Sequence, residues 1–235
     1  MAKNAYAQWE ITPFAGINST QVKYDAFIKG GNFGLAGIDV ERNFQFREYS
    51  LINISAVTGI GYLANGFYRD FGISVSTLYY NSGNSKLDTK YLVIPIMMRL
   101  NWQPFALIEG WKVFVGGGIT YNHLLKSELS ENETIVTPSI GVPQPPPLTI
   151  YYEDSGEITE YGPENSVFLR FELGTKFKHV LFAYRYSMSI TDMHHKGLES
   201  DWNVPVDRSD YMSPHDLNGK RIEKYQEFVI GWIIN

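Results

Sequence analysis

Imidazoles and carboxylates crowd one stretch near the end of the chain, TDMHHKGLESDWNVPVDRSDYMSPHDLNGK. Asp192, His194, His195, Asp201, Asp207, Asp210, His215 and Asp216 are the groups that hold metal ions or move protons in other proteins. Their spacing matches no metal-ligand motif, and solvated loops are rich in Asp in any case. We therefore assign no metal, no cofactor and no catalytic residue here, and expect a protein that is not an enzyme. VGGGIT, residues 115–120, has the glycines of a phosphate-binding loop. It lacks the following Lys and helix such a loop needs. Its glycines instead make room inside a packed lumen or let a strand bend.

A second set of charges is more informative because it recurs on alternating positions. Glu10, Arg99, Lys112, Arg170, Glu172, Lys176, Arg185 and Glu227 each sit in a strand-like stretch, opposite a row of apolar residues. In residues 90–102, KYLVIPIMMRLNW, one row reads Leu92, Ile94, Ile96, Met98, Leu100, Trp102, and the other carries Arg99. Alternation with period two marks a strand with two unlike faces. We find it about eight times: in residues 8–18, 51–63, 71–80, 90–102, 111–123, 167–177, 179–191 and 227–234. Connections alternate between short and long. NGFYRD, QPFALIEG and the Lys178 region join strands two to three, four to five and six to seven. The others span residues 19–50, 81–90, 126–166 and 192–224.

This pattern predicts an all-β fold: an eight-stranded antiparallel up-and-down transmembrane β-barrel with short periplasmic turns and long outer loops. The unbroken apolar rows would face lipid. The polar faces are mostly Gly, Ser, Thr and Asn with balanced charges, which suits a lumen that side chains just fill. Each charge in it needs a partner, and Arg170, Glu172, Arg185 and Glu227 are placed to pair across the lumen. Trp9, Trp102, Trp111 and Trp232 fall at the rim of the short turns, with Tyr62 and Phe177 beside them, as a membrane-interface belt would. Pro95 lacks the N–H a central strand uses, so a bulge or locally widened register is expected around it.

Composition limits the alternatives. The chain has 235 residues, suited to one barrel domain over 1–235. Residues 1–7 are expected to be a signal remnant or disordered start, because Ala5-Tyr6-Ala7 has the A-x-A form of a cleavage site. Charged residues make up 19% and the net charge is −5, which argues against nucleic acid as a partner. The absence of cysteine rules out disulfides and thiolate sites. No apolar run is long enough for a transmembrane helix.

YLVIPIMMRLNW resembles the Tyr-Leu-x-Ile-Pro signature of the PorT-like outer-membrane β-barrel family, common in Bacteroidota. There the signature also lies on the fourth strand, after a Tyr-rich third strand (STLYYNSG here) and before a Gly-rich fifth (FVGGGITYN here). The likeness covers roughly residues 51–235. It implies an eight-stranded barrel of the bacterial outer membrane, and the founding member assists a protein-secretion and gliding system. The family name covers many barrels of other roles. In the loop IVTPSIGVPQPPPLTIYY, Pro143, Pro145, Pro146, Pro147, Tyr151 and Tyr152 form a stiff, apolar stretch suited to partner contact. The expected partners are outer-membrane lipid and other envelope proteins, through which the chain would act as an accessory or partner-binding subunit of an envelope assembly. The competing readings are a small-solute transport channel, an outer-rim enzyme and a soluble lipocalin-like carrier.

Overall fold

The computed structural model describes residues 8–22, 28–44, 51–76, 79–104, 110–137, 148–157, 164–191 and 223–234. Ten strands make one antiparallel sheet: β1 (Gln8–Val22), β2 (Ile28–Gly30), β3 (Asn32–Phe44), β4 (Ile52–Ser76), β5 (Tyr79–Trp102), β6 (Trp111–Thr137), β7 (Leu148–Glu157), β8 (Asn165–Phe177), β9 (Val180–Ser189) and β10 (Glu223–Trp232). Eight of them, all except β2 and β7, close into a ring in the order β1-β3-β4-β5-β6-β8-β9-β10 and back to β1. Short β2 adds to β4, and β7 adds to β6, both outside the ring.

The register fixes the barrel's shape. A path of paired residues from Trp9 runs through Arg42, Ala56, Met98, Gly117, Phe171, Tyr186 and Gln226 and returns to β1 at Ser19, ten residues on. With about 3.3 Å per residue and about 4.8 Å between strands, a shear of ten tilts eight strands by about 41°, at a backbone radius of about 8 Å. Such a cylinder has no free edge and an interior that side chains can fill. Alternation then sends each apolar row outward. Ile96 on β5 is 61% exposed and Leu173 on β8 is 54% exposed. In water an apolar band this continuous would not stay solvated.

Strand number agrees with the sequence reading, but two of its assignments change. NGFYRD is not a turn: it lies inside β4, which runs on to Ser76. The stretch 71–80 is therefore no separate strand: residues 71–76 end β4 and residues 79–80 begin β5. The missing strand is β3, inside what reads as the long connection 19–50. Its outward row carries Gly34, Ala36 and Arg42, too small and too charged to read as an apolar stripe, and its inward row carries Asp39 and Glu41. The short connections are accordingly 45–51, 103–110 and 178–179, at the rim that also holds Gln8 and Trp232. Lys178 takes a φ of 51° in the two-residue turn between β8 and β9, the left-handed backbone that such hairpins use.

Pro95 is accommodated without a change of register. The β4–β5 ladder pairs Thr58 with Ile96 and then Gly61 with Val93, skipping the pairs that Pro95 and Ile94 would make. A bulge does occur nearby, where Lys90 pairs with Lys126 and Tyr91 with Leu124, leaving Leu125 extra on β6.

Candidate functional site: a filled lumen between two rims

Arg99 on β5 is 1% exposed. Its Nε and Nη2 donate to both oxygens of Glu172 on β8, at 2.6 and 2.9 Å, and its Nη1 donates to Glu41 Oε2 at 2.5 Å. Arg185 on β9 donates to the same Glu172 at 2.8 Å and to Asp39. Lys176 Nζ reaches Glu10 at 2.5 Å and Glu41 at 2.7 Å. Ser55 and Asn101 complete the shell of Glu41. Farther along, Arg170 donates to Glu227 at 2.6 Å and to Ser187 at 3.0 Å. Lys112 is the outlier: its side chain is 32% exposed at the mouth, 3.9 Å from Glu10.

These contacts join charges from six strands into one lattice, and the separate Arg170–Glu227 pair beside it brings in β10 as a seventh. Five acids (Glu10, Asp39, Glu41, Glu172, Glu227) meet five bases (Arg99, Lys112, Arg170, Lys176, Arg185). Balance matters, since a buried ion without a partner costs several kcal/mol. Two rings add to the lattice: Phe114 lies 4.8 Å from the Arg99 guanidinium and Phe14 lies 4.5 Å from that of Arg185. Two glycines leave the room. A Cβ on Gly116 would come 3.1 Å from Arg99 Cγ, and one on Gly174 would come 2.4 Å from Phe114 Cζ.

The sequence reading lacked Asp39, which meets two cations, and Glu41, which meets two cations and two neutral donors. Their signal was present in IDVE, where acids alternate with Ile38 and Val40. It was hidden because β3 itself went unrecognised.

Beyond the ions the lumen turns apolar. Leu35, Leu63, Tyr91, Phe168 and Tyr225 are buried together, and the rings of Phe168 and Tyr225 stack at 4.8 Å. Next comes a polar layer in which Thr20 donates to Asn65, Asn18 Nδ2 donates to the Ala64 carbonyl at 3.0 Å, and Tyr225 OH donates to Glu223 at 2.6 Å. A cavity beside Phe14, Asp39, Arg170, Arg185 and Glu227 has a volume of about 20 Å³, room for about one water molecule.

On the outside, Trp9, Trp102, Phe177 and Trp232 are exposed at the short-turn rim, and Trp111 is half-buried there with its Nε1 donating to Thr175 at 2.8 Å. Tyr62 is not with them. Because β4 ascends from this rim rather than returning to it, Tyr62 pairs with Leu92, ten residues along β5 from Trp102. Tyr121 is likewise ten residues along β6 from Trp111. At the tilt above, ten residues climb about 25 Å, so Tyr62 and Tyr121 mark a second level at the far end of the apolar band. Past it, β4 continues fourteen residues to Ser76, and β6 sixteen to Thr137. With β5 and β7 they form a raised sheet on one side of the barrel. There Lys86 lies 2.5 Å from Asp88 and over the Tyr68 ring. The hydrogen bond it donates to Asp88 holds the Lys86 ammonium above its ordinary pKa.

Two expected sites fall elsewhere. Pro143, Pro145, Pro146 and Pro147 lie outside the described residues, as does the Asp/His stretch from Asp192 to Asp216. Tyr151 and Tyr152 belong to β7, opposite Thr134 and Glu133 of β6.

The profile of a family described as outer membrane protein beta-barrel domain matches residues 2–195. No curated protein matches the sequence closely enough to count as a relative. Among solved structures, Ail, the attachment invasion locus protein of Yersinia pestis, is 11% identical, covering 97% of this chain and 99% of its own at a TM-score of 0.35. Neisserial surface protein A is 8% identical over 97% and 98%, at 0.36. OprG of Pseudomonas aeruginosa is 10% identical over 98% of each, at 0.34.

Proposed function

Because this chain belongs to the outer membrane protein β-barrel family and resides in the bacterial outer membrane, we propose that it is a non-enzymatic, non-conducting barrel that serves as a partner-binding subunit of an envelope assembly. The single observation behind this reading is the asymmetry of the strands. β4, β5 and β6 run about 35 Å beyond the apolar band by the rise of a tilted strand, while the lumen beneath them is occupied by its own side chains. A raised sheet of this size needs a purpose other than crossing the membrane, and a cylinder plugged by ions and aromatic rings is unsuited to passing solutes. The resemblance of Tyr91 to Trp102 to the PorT-like signature supports the narrower idea that the assembly is of the envelope-machinery kind.

The test is co-purification in mild detergent, comparing the full chain with a variant in which residues 67–87 are replaced by a tight turn. A protein recovered reproducibly with the full chain and lost with the shortened one is the expected result. Equal recovery with both, or no recovered protein, would defeat the proposal. Planar-bilayer recordings give the second arm. Stable openings of uniform size would replace this reading with that of a transport channel.

A further inference from the structure

Arg42 is a cation on the wrong side of the wall. It sits on β3, one residue beyond Glu41, so its side chain points outward, and it is exposed. Its guanidinium carbon lies 5.3 Å from the centre of the Trp9 ring and 5.5 Å from that of Phe44. No ion pair among the described residues includes it. Glu10 and Glu41, the acids on the nearest strands, face the lumen and are held there by Lys176 and Arg99. On the flank away from Trp9, Arg42 pairs with Ala56 of β4, whose methyl group leaves that side uncovered.

The surroundings define what could meet this cation. Trp9 belongs to the aromatic level of the short-turn rim, where a bilayer's headgroups lie. Arginine in hydrocarbon is costly, and the cost falls toward the interface. A guanidinium lying over ring faces keeps its N–H edge free, and that edge matches two oxygens of a phosphate. The same rim repeats the pairing at the β8–β9 turn, where Lys178 lies 5.6 Å from the Phe177 ring centre and His179 stacks on Trp232. We propose that Arg42, clamped by Trp9 and Phe44 and open over Ala56, binds the phosphate of a phospholipid in the periplasm-facing leaflet.

The test is native mass spectrometry of the full chain released from detergent micelles with phosphatidylethanolamine added. The wild-type barrel should retain one lipid that R42Q holds about tenfold more weakly, the loss of one charge-assisted contact. Diacylglycerol with the same acyl chains should be retained by neither. Inorganic phosphate at the same concentration should not displace the lipid. Equal retention by wild type and R42Q, equal retention of diacylglycerol, or displacement by inorganic phosphate would each overturn the proposal. A56L serves as the second variant: it keeps the charge but covers the open flank, and it should weaken retention while leaving the folded gel mobility unchanged. Undiminished retention by A56L in the folded barrel would also overturn it.

Discussion

Along β5 the two faces of one strand live under opposite rules. Tyr91, Val93, Pro95, Met97, Arg99 and Asn101 turn inward and are buried, whereas Ile96, Met98, Leu100 and Trp102 turn outward and are exposed. Inside, polarity is tolerated because it is answered: Arg99 finds three carboxylates within reach. Outside, apolarity is tolerated because the solvent is lipid. The contrast teaches that burial here reports distance from the barrel axis and not hydrophobicity. A substitution must be judged by which face it changes and by what medium or partner that face meets.

The comparison is broken most severely from the inside. Arg99→Met leaves Glu172, Glu41 and Asp39 with uncompensated charge, and should cost about 3–5 kcal/mol, read as a lower urea midpoint in lipid vesicles or loss of the folded gel band. An unmoved midpoint would mean the lattice contributes nothing. The smaller Arg170–Glu227 pair offers a sharper version. Glu227→Leu alone should destabilise by about 3 kcal/mol, and adding Arg170→Met should recover most of that loss. From the outside, Leu173→Arg places a charge midway between the two aromatic levels, and should cost about 2–4 kcal/mol in the same assay. Packing effects come next. Gly174→Ala drives a methyl group against Phe114 and should cost about 1–3 kcal/mol. Least affected is the raised sheet, where Asp88→Asn breaks a half-exposed pair with Lys86 and should change the midpoint by less than about 0.5 kcal/mol. A larger change there would show that the sheet is coupled to the barrel.

What the sequence reveals follows from the same contrast. β5, β8, β9 and β10 have outward rows of large apolar residues, so their alternation is plain, and Arg99, Arg170, Glu172, Lys176, Arg185 and Glu227 fall on the opposite rows. β3 has Gly34, Ala36 and Arg42 outward, and its alternation is too faint to separate from loop. Losing β3 hid Asp39 and Glu41 and reversed the direction assigned to β4. That reversal carried Tyr62 to the wrong end of the apolar band. The run from Ala64 to Asp70 holds Asn, Gly and Asp, a turn by composition; the cross-strand ladder to residues 84–90 of β5 overrides that local preference. Long-range pairing of this kind leaves no mark in a single stretch of chain.

The ion lattice also says when the cylinder can exist. Glu10 is 166 positions from the Lys176 it binds, and Asp39 is 146 from Arg185. Arg99 and Lys112 stand at 3.3 and 3.9 Å from these acids, and the closer counter-ion of each arrives only with the last third of the polypeptide. Closure of the ring and neutralisation of its interior are thus one event, late and all-or-none, and an unfinished chain would be denied entry to the bilayer by its own unanswered charge.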